Sequence, residues 1–131
     1  MRFFSPEPDV RVFYSAADAL VAPSLEDSFN LPVLEAMSCG LPVIASTRAG
    51  VSEWLTDHRD SVVLKNPENT QELANAIRLL ATNPAQRDQI ARNGSHTAKN
   101  FSWDTHASEL RKLLVEAAES KSRRKLPAKS I

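Results

Sequence analysis

Asp27 and Glu35 stand eight positions apart in the stretch from Ala22 to Ala45, APSLEDSFNLPVLEAMSCGLPVIA, which reads as strand, acidic loop, helix, tight turn and strand. Carboxylates accept several hydrogen bonds at once, and a pair of them suits the vicinal hydroxyls of a ribose or a hexose. The acidic loop leads straight into a helix start. The backbone N–H groups near Phe29, Asn30 and Leu31, with the positive end of the helix dipole, therefore make a seat for a phosphate or for sugar hydroxyls. Asn30 is also placed to cap that helix. The residues alone leave two readings open. In one, Asp27 and Glu35 converge on a single ligand; in the other, Glu26 and Asp27 only complement the helix dipole while Glu35 faces water.

Other reactive residue types form no comparable set. His58, His96 and His106 fall on three separate segments without ligand spacing, so no metal site is expected. Ser24, Ser28 and Cys39 have no histidine near them in sequence to activate them. Cys39, the single cysteine, sits in an apolar stretch and is expected to be a small buried side chain in a reducing compartment. Trp54 and Trp103 are expected to pack in the core or a groove.

The elements that must position the acids follow from periodicity and turn chemistry. Ala19–Ala22, Pro42–Ala45 and Val62–Leu64 are short apolar runs with polar or turn-forming flanks, the pattern of buried parallel strands, and Arg2–Phe4 is a weaker fourth. Helical segments alternate with them: Val10–Ala17, then Pro32–Ser38 closed by Gly40, then a short turn over Val51–Leu55. Thr70–Ala81 is expected to be a helix capped by its threonine, with Leu73, Ile77 and Leu80 on one face. Asn83-Pro84 opens the next helix and Ser102 caps the last, which carries Leu110, Leu113 and Leu114. Such alternation predicts an α/β layer structure with a mostly parallel sheet, whose ligands bind beyond the carboxyl ends of the strands.

At 131 residues with 42% hydrophobic side chains, the chain is long enough to bury a core without disulfides or metals. Its net charge is zero, but Lys121, Arg123, Arg124, Lys125 and Lys129 crowd the end, so a basic tail over 120–131 is expected to be disordered beside a mildly acidic body. That balance argues against a nucleic-acid partner. No apolar run approaches the ~20 residues of a membrane span, and the start MRFFSPEPDV lacks the apolar centre of a signal peptide. A cytoplasmic protein is expected, with a peripheral contact at the inner membrane surface as the one role open to the tail.

Pro23, Ser24, Asp27, Phe29, Leu31, Pro32, Glu35, Ala36, Met37, Gly40, Pro42 and Val43 stand in the register of a known signature. That signature resembles the one found in group 1 retaining glycosyltransferases, the glycogen-synthase-like family of the GT-B fold. The flanks also resemble it, from Tyr14 through Asp18, at Gly50-Val51-Ser52-Glu53 and at Phe101-Ser102-Trp103. The resemblance covers nearly all of the chain except the tail. It implies that residues 1–119 are the C-terminal part of a Rossmann-like, nucleotide-sugar-binding domain of three to four strands, with its first two strands and the N-terminal acceptor domain missing. It implies transfer of a sugar from a nucleotide-sugar donor with retention, no cofactor and no required metal. By position it gives the donor-sugar contact to Asp27, the ribose hydroxyls to Glu35, and the sugar and diphosphate to the stretch Ser28, Phe29, Asn30 and Leu31.

Departures from the pattern are also visible. The first acid is the shorter Asp27 where the family usually has Glu, and Ser28 and Asn30 replace its usual glycines. The family's phosphate-neutralising arginine and lysine have no counterpart, although Arg48 lies near the expected cleft. Removing such charge stabilisation commonly costs ~3 kcal/mol or more, so the isolated chain is expected to be inactive and to bind a nucleoside diphosphate only weakly. The alternative is a non-catalytic nucleotide-binding or protein-interaction module that kept the fold. Bared by the missing strand, the edge at Ala19–Ala22 and the leucine face of the last helix are expected to drive self-association as a two-fold dimer.

Overall fold

The computed structural model describes residues 9–123. Helix α1 (Arg11–Ala16) leads into strand β1 (Leu20–Ala22), and the acidic loop then runs into helix α2 (Leu31–Ser38). Gly40, at a left-handed φ of 74°, turns the chain into β2 (Val43–Ser46). A 3-10 helix over Gly50–Trp54 precedes β3 (Val62–Leu64), after which α3 (Thr70–Thr82), α4 (Pro84–Ala98) and α5 (Trp103–Arg123) complete the order. The strands form one parallel sheet in the order β1-β2-β3. Among the described residues three strands are present; Arg2–Phe4 lies outside them.

The central strand explains the chain's most apolar run. All four residues of β2 are fully buried, because parallel strands with helices on both faces have no wet side. Register sets Ile44 opposite Val62 and Ser46 opposite Leu64. Ile44, Val62 and Leu64 therefore share one face, where Ala76 and Leu80 of α3 and Ile90 of α4 cover them. Each large aliphatic side chain removed from water there contributes about 1.5–3 kcal/mol. Helix α2 packs against β1, β2 and α4, with Val33 and Met37 fully buried. Gly94 lets α4 come close, since a Cβ there would lie 2.9 Å from the Asp60 carbonyl oxygen and 3.4 Å from Met37 Cε.

Several expected details are corrected. The cap of α3 is Asn69, whose side chain accepts from the N–H groups of Gln71 and Glu72, one residue before the expected Thr70. Ile77 is 46% exposed, at the margin of the α3 face rather than on it. Cys39 is exposed, because α2 ends at Ser38 and the cysteine occupies the C-cap. Trp103 is 84% exposed and Trp54 is half exposed, so neither is core. Asn83 and Ser102 cap α4 and α5 as expected, Asn83 by accepting from Gln86 N and Ser102 from Thr105 N.

A second unit begins at Asn100, and in it α5 runs on to Arg123, past Ser120, where order was expected to end. Within it Leu113 and Leu114 are exposed. The remaining tail lies outside the described residues.

Candidate functional site

Because the strands are parallel, their carboxyl ends share one edge of the sheet, and three bonds hold those ends level. The Ser46 hydroxyl donates to the Ser24 carbonyl (2.6 Å), Thr47 N donates to the Leu64 carbonyl (3.0 Å), and the Thr47 hydroxyl donates to the Lys65 carbonyl (3.2 Å). The acidic loop after β1 is then stitched by its main chain to the segment after β2. Asp27 N donates to Arg48 O (3.3 Å), Gly50 N to Asp27 O (3.1 Å) and Val51 N to Phe29 O (2.9 Å). Gly50 has to be glycine for this: a Cβ there would collide with the Ser28 carbonyl oxygen.

Within the loop, Asp27 Oδ1 accepts from Phe29 N (3.0 Å), a turn in which the aspartate replaces a backbone acceptor. That bond corrects one expectation, because the Phe29 amide is already engaged. The N–H groups of Asn30 and Leu31 make no hydrogen bond among the described residues, and Pro32 has none to offer. Asn30 occupies the N-cap position without capping. Its backbone is left-handed, at φ 69° and ψ 63°, which turns its side chain back to donate from Nδ2 to the Ser24 hydroxyl (3.0 Å). Asparagine is one of the few residue types besides glycine that adopts this conformation readily. This accounts for Asn30 where the resemblance expects glycine.

Glu35 lies one turn into α2 and is exposed. Its Oε2 accepts a 2.9 Å hydrogen bond from the Tyr14 hydroxyl of α1. Partial burial, and after it this bond, raise the Tyr14 pKa to about 12. Tyr14 is a partner of Glu35 that reading the sequence missed. It was visible only as the aromatic position before Ala-Ala-Asp, and nothing local links it to a glutamate 21 positions on.

The remaining acceptor capacity is open. Among the described residues Asp27 Oδ2 and Glu35 Oε1 make no hydrogen bond or ion pair, and the same holds for the Ser28 side chain, which is exposed. Arg48 is exposed and among the described residues its guanidinium has no carboxylate partner, whereas Arg11 is held by Asp9 at 2.7 and 2.8 Å, a pairing that lowers the Asp9 pKa. Phe29 meets Trp54 edge to face at 5.6 Å, placing an aromatic wall beside the loop. A shallow groove of about 330 Å³ opens elsewhere, between Asp18, Ala19 and Val21 on one side and Ile77, Leu80 and Arg87 on the other. Neither acid lines it, so it is not the acidic site. Among the described residues His, Cys, Asp and Glu form no group of three placed to hold a metal ion, and no helix is long and apolar enough to cross a membrane.

Parallel strands between helices, with a loop-to-helix junction at their carboxyl ends, define a Rossmann-like α/β domain. Residues 1–97 match the family described as Glycosyl transferases group 1, and the chain belongs to that family. It is 35% identical over 126 residues to D-inositol 3-phosphate glycosyltransferase of Salinispora tropica, covering 94% of this chain and 26% of that protein. Sucrose-phosphate synthase from Thermosynechococcus elongatus superposes with a TM-score of 0.77 at 31% identity, over 85% of this chain and 28% of that one. The Anabaena protein HepE, solved in complex with UDP, gives a TM-score of 0.74 at 26% identity, over 79% of this chain and 29% of its own. The chain thus spans about a quarter of the length of the curated relatives it matches.

Proposed function

We propose that this chain forms the nucleotide-binding part of the donor site of a retaining glycosyltransferase, and that alone it binds the donor weakly without turning it over. The observation that carries the reading is the unpartnered set on residues 27–35: two carboxylate oxygens and two adjacent amides at the carboxyl end of a parallel sheet. Glu35 takes the ribose hydroxyls, Asp27 a hydroxyl of the donor sugar, and the amides of Asn30 and Leu31 face the diphosphate with the helix dipole behind them. The UDP and UDP-glucose bound by the Anabaena protein support a nucleotide sugar as the ligand class.

Loss of a nucleoside diphosphate develops negative charge on the leaving oxygens. Arg48, on the segment after β2 whose carbonyl accepts from Asp27 N, offers them a cation. One exposed arginine and two amides supply less than a closed cleft does, so turnover by the isolated chain is not expected. The reading requires no metal. A non-catalytic module is not favoured, since both acids of the signature are present on one loop-to-helix junction.

Calorimetric or NMR titration with UDP and UDP-glucose tests the proposal. A dissociation constant in the millimolar range, ~4 kcal/mol, is expected, unchanged by a chelator and raised in Glu35→Gln. Amide shifts confined to residues outside 24–35 and 46–51 would refute the site.

A further inference from the structure

Glu35 is a long, exposed side chain, and a carboxylate with free torsions must be ordered before it can take both hydroxyls of a diol. Among the described residues one side chain orders it: the hydroxyl of Tyr14, 2.9 Å from Oε2. Each carboxylate oxygen accepts two hydrogen bonds, so Tyr14 uses one of about four acceptor sites and leaves Oε1 and part of Oε2 open. Tyr14 is itself partly buried on α1.

We propose that Tyr14 is a positioning residue for the nucleotide, fixing the Glu35 carboxylate by Oε2 so that its free acceptor sites meet the 2′- and 3′-hydroxyls of a ribose. The inference rests on Glu35 being the ribose-binding acid. The phenol touches no reacting atom and acts through the glutamate. A purely structural tyrosine, by contrast, would hold α1 against α2 and would serve every ligand equally. The two roles differ in what removing the hydroxyl does. Tyr14→Phe keeps the ring and its packing and releases only the carboxylate.

The full chain and its Tyr14→Phe and Glu35→Gln variants are titrated with UDP and with 2′,3′-dideoxy-UDP, followed by amide chemical shifts. The wild type is expected to prefer UDP, and Glu35→Gln to lose that preference. Tyr14→Phe is expected to weaken UDP by about three- to tenfold, the worth of one hydrogen bond, and to leave the dideoxy compound unchanged. An undiminished preference in Tyr14→Phe, with Glu35→Gln impaired, overturns this inference and spares the Glu35 reading. A preference that survives in Glu35→Gln overturns both.

A second measurement needs no ligand. Tyr14 is the sole tyrosine in the sequence, so absorbance near 295 nm reports its ionisation alone. Its pKa of about 12 has burial as the larger cause and the Glu35 bond as the next, with Cys39 contributing least. In Glu35→Gln the value is expected to fall part of the way back toward 10. No fall at all would show that the hydroxyl does not hold the carboxylate in solution, and would also overturn the proposal.

Discussion

Two pairs of carboxylates divide the sheet's loops between them. On the β3 side, Asp60 is 4% exposed and accepts from Thr56 N at Oδ1 (2.8 Å) and from the Thr97 hydroxyl at Oδ2 (3.0 Å), while the Ser61 hydroxyl lies 3.3 Å from Oδ1. Glu72 closes the turn after β3, taking Lys65 N at one oxygen (2.7 Å) and Asn66 N at the other (3.1 Å). On the β1 side, Asp27 and Glu35 each use one oxygen and leave the other open. The difference separates acids whose acceptors are spent on the fold from acids that keep an open oxygen among the described residues. It also shows that acid type and helix position do not decide which role applies: Glu72 and Glu35 both sit in the early turns of a helix.

The sharpest way to break this comparison is at Asp60. Replacing it with alanine strands buried donors, and a loss of about 3 kcal/mol is expected in urea denaturation, with UDP binding retained below the transition. Gly50→Ala should cost about 2 kcal/mol by overpacking against the Ser28 carbonyl, and it should also abolish the UDP shifts of residues 24–31, because the loop is displaced. Glu72→Ala is expected to lose about 1.5 kcal/mol, less than Asp60, since its backbone donors can turn to water. Glu35→Gln should change stability by under about 0.5 kcal/mol, the usual size for an exposed site. If Glu35 and Asp60 variants lost stability equally, the division would fail.

The smallest expected effect is a pH dependence. The Tyr14 pKa is raised from 10.0 to about 12 by burial first and the Glu35 bond second. Between these values the unfolded chain releases the phenolic proton while the folded chain keeps it. Tyr14's contribution to stability is therefore complete below pH 10 and is lost as pH rises toward 12. Urea midpoints at pH 9 and 11 should fall less for Tyr14→Phe than for the wild type.

What was legible in the sequence was local. Val62–Leu64 coincides with β3, Pro32 and Gly40 bracket α2, and Asn83 and Ser102 cap their helices, because periodicity and capping act over three or four residues. The order of elements around Asp27 and Glu35 was readable for the same reason. Partnerships between distant residues were not. Tyr14 reaches Glu35 over 21 positions and Thr97 reaches Asp60 over 37, and no residue pattern records either bond. Asn30 misled in another way. Its residue type suits both a cap and a left-handed backbone, and only the Ser24 hydroxyl decides between them. Cys39 and the tryptophans were misjudged because an apolar residue type does not reveal which face of its element it lies on: Cys39 is an exposed C-cap and Trp103 is 84% exposed at the start of α5.

The acidic loop is joined to the β2 exit through N–H and C=O groups at Asp27, Phe29, Arg48, Gly50 and Val51, groups that almost every amino acid possesses. The exposed side chains of Leu25, Glu26 and Ser28 take no part in that seam. Substitutions there are expected to leave the seam intact while changing the side chains that the loop exposes. The loop can therefore vary its exposed side chains one residue at a time without opening the seam, provided Gly50 is left alone.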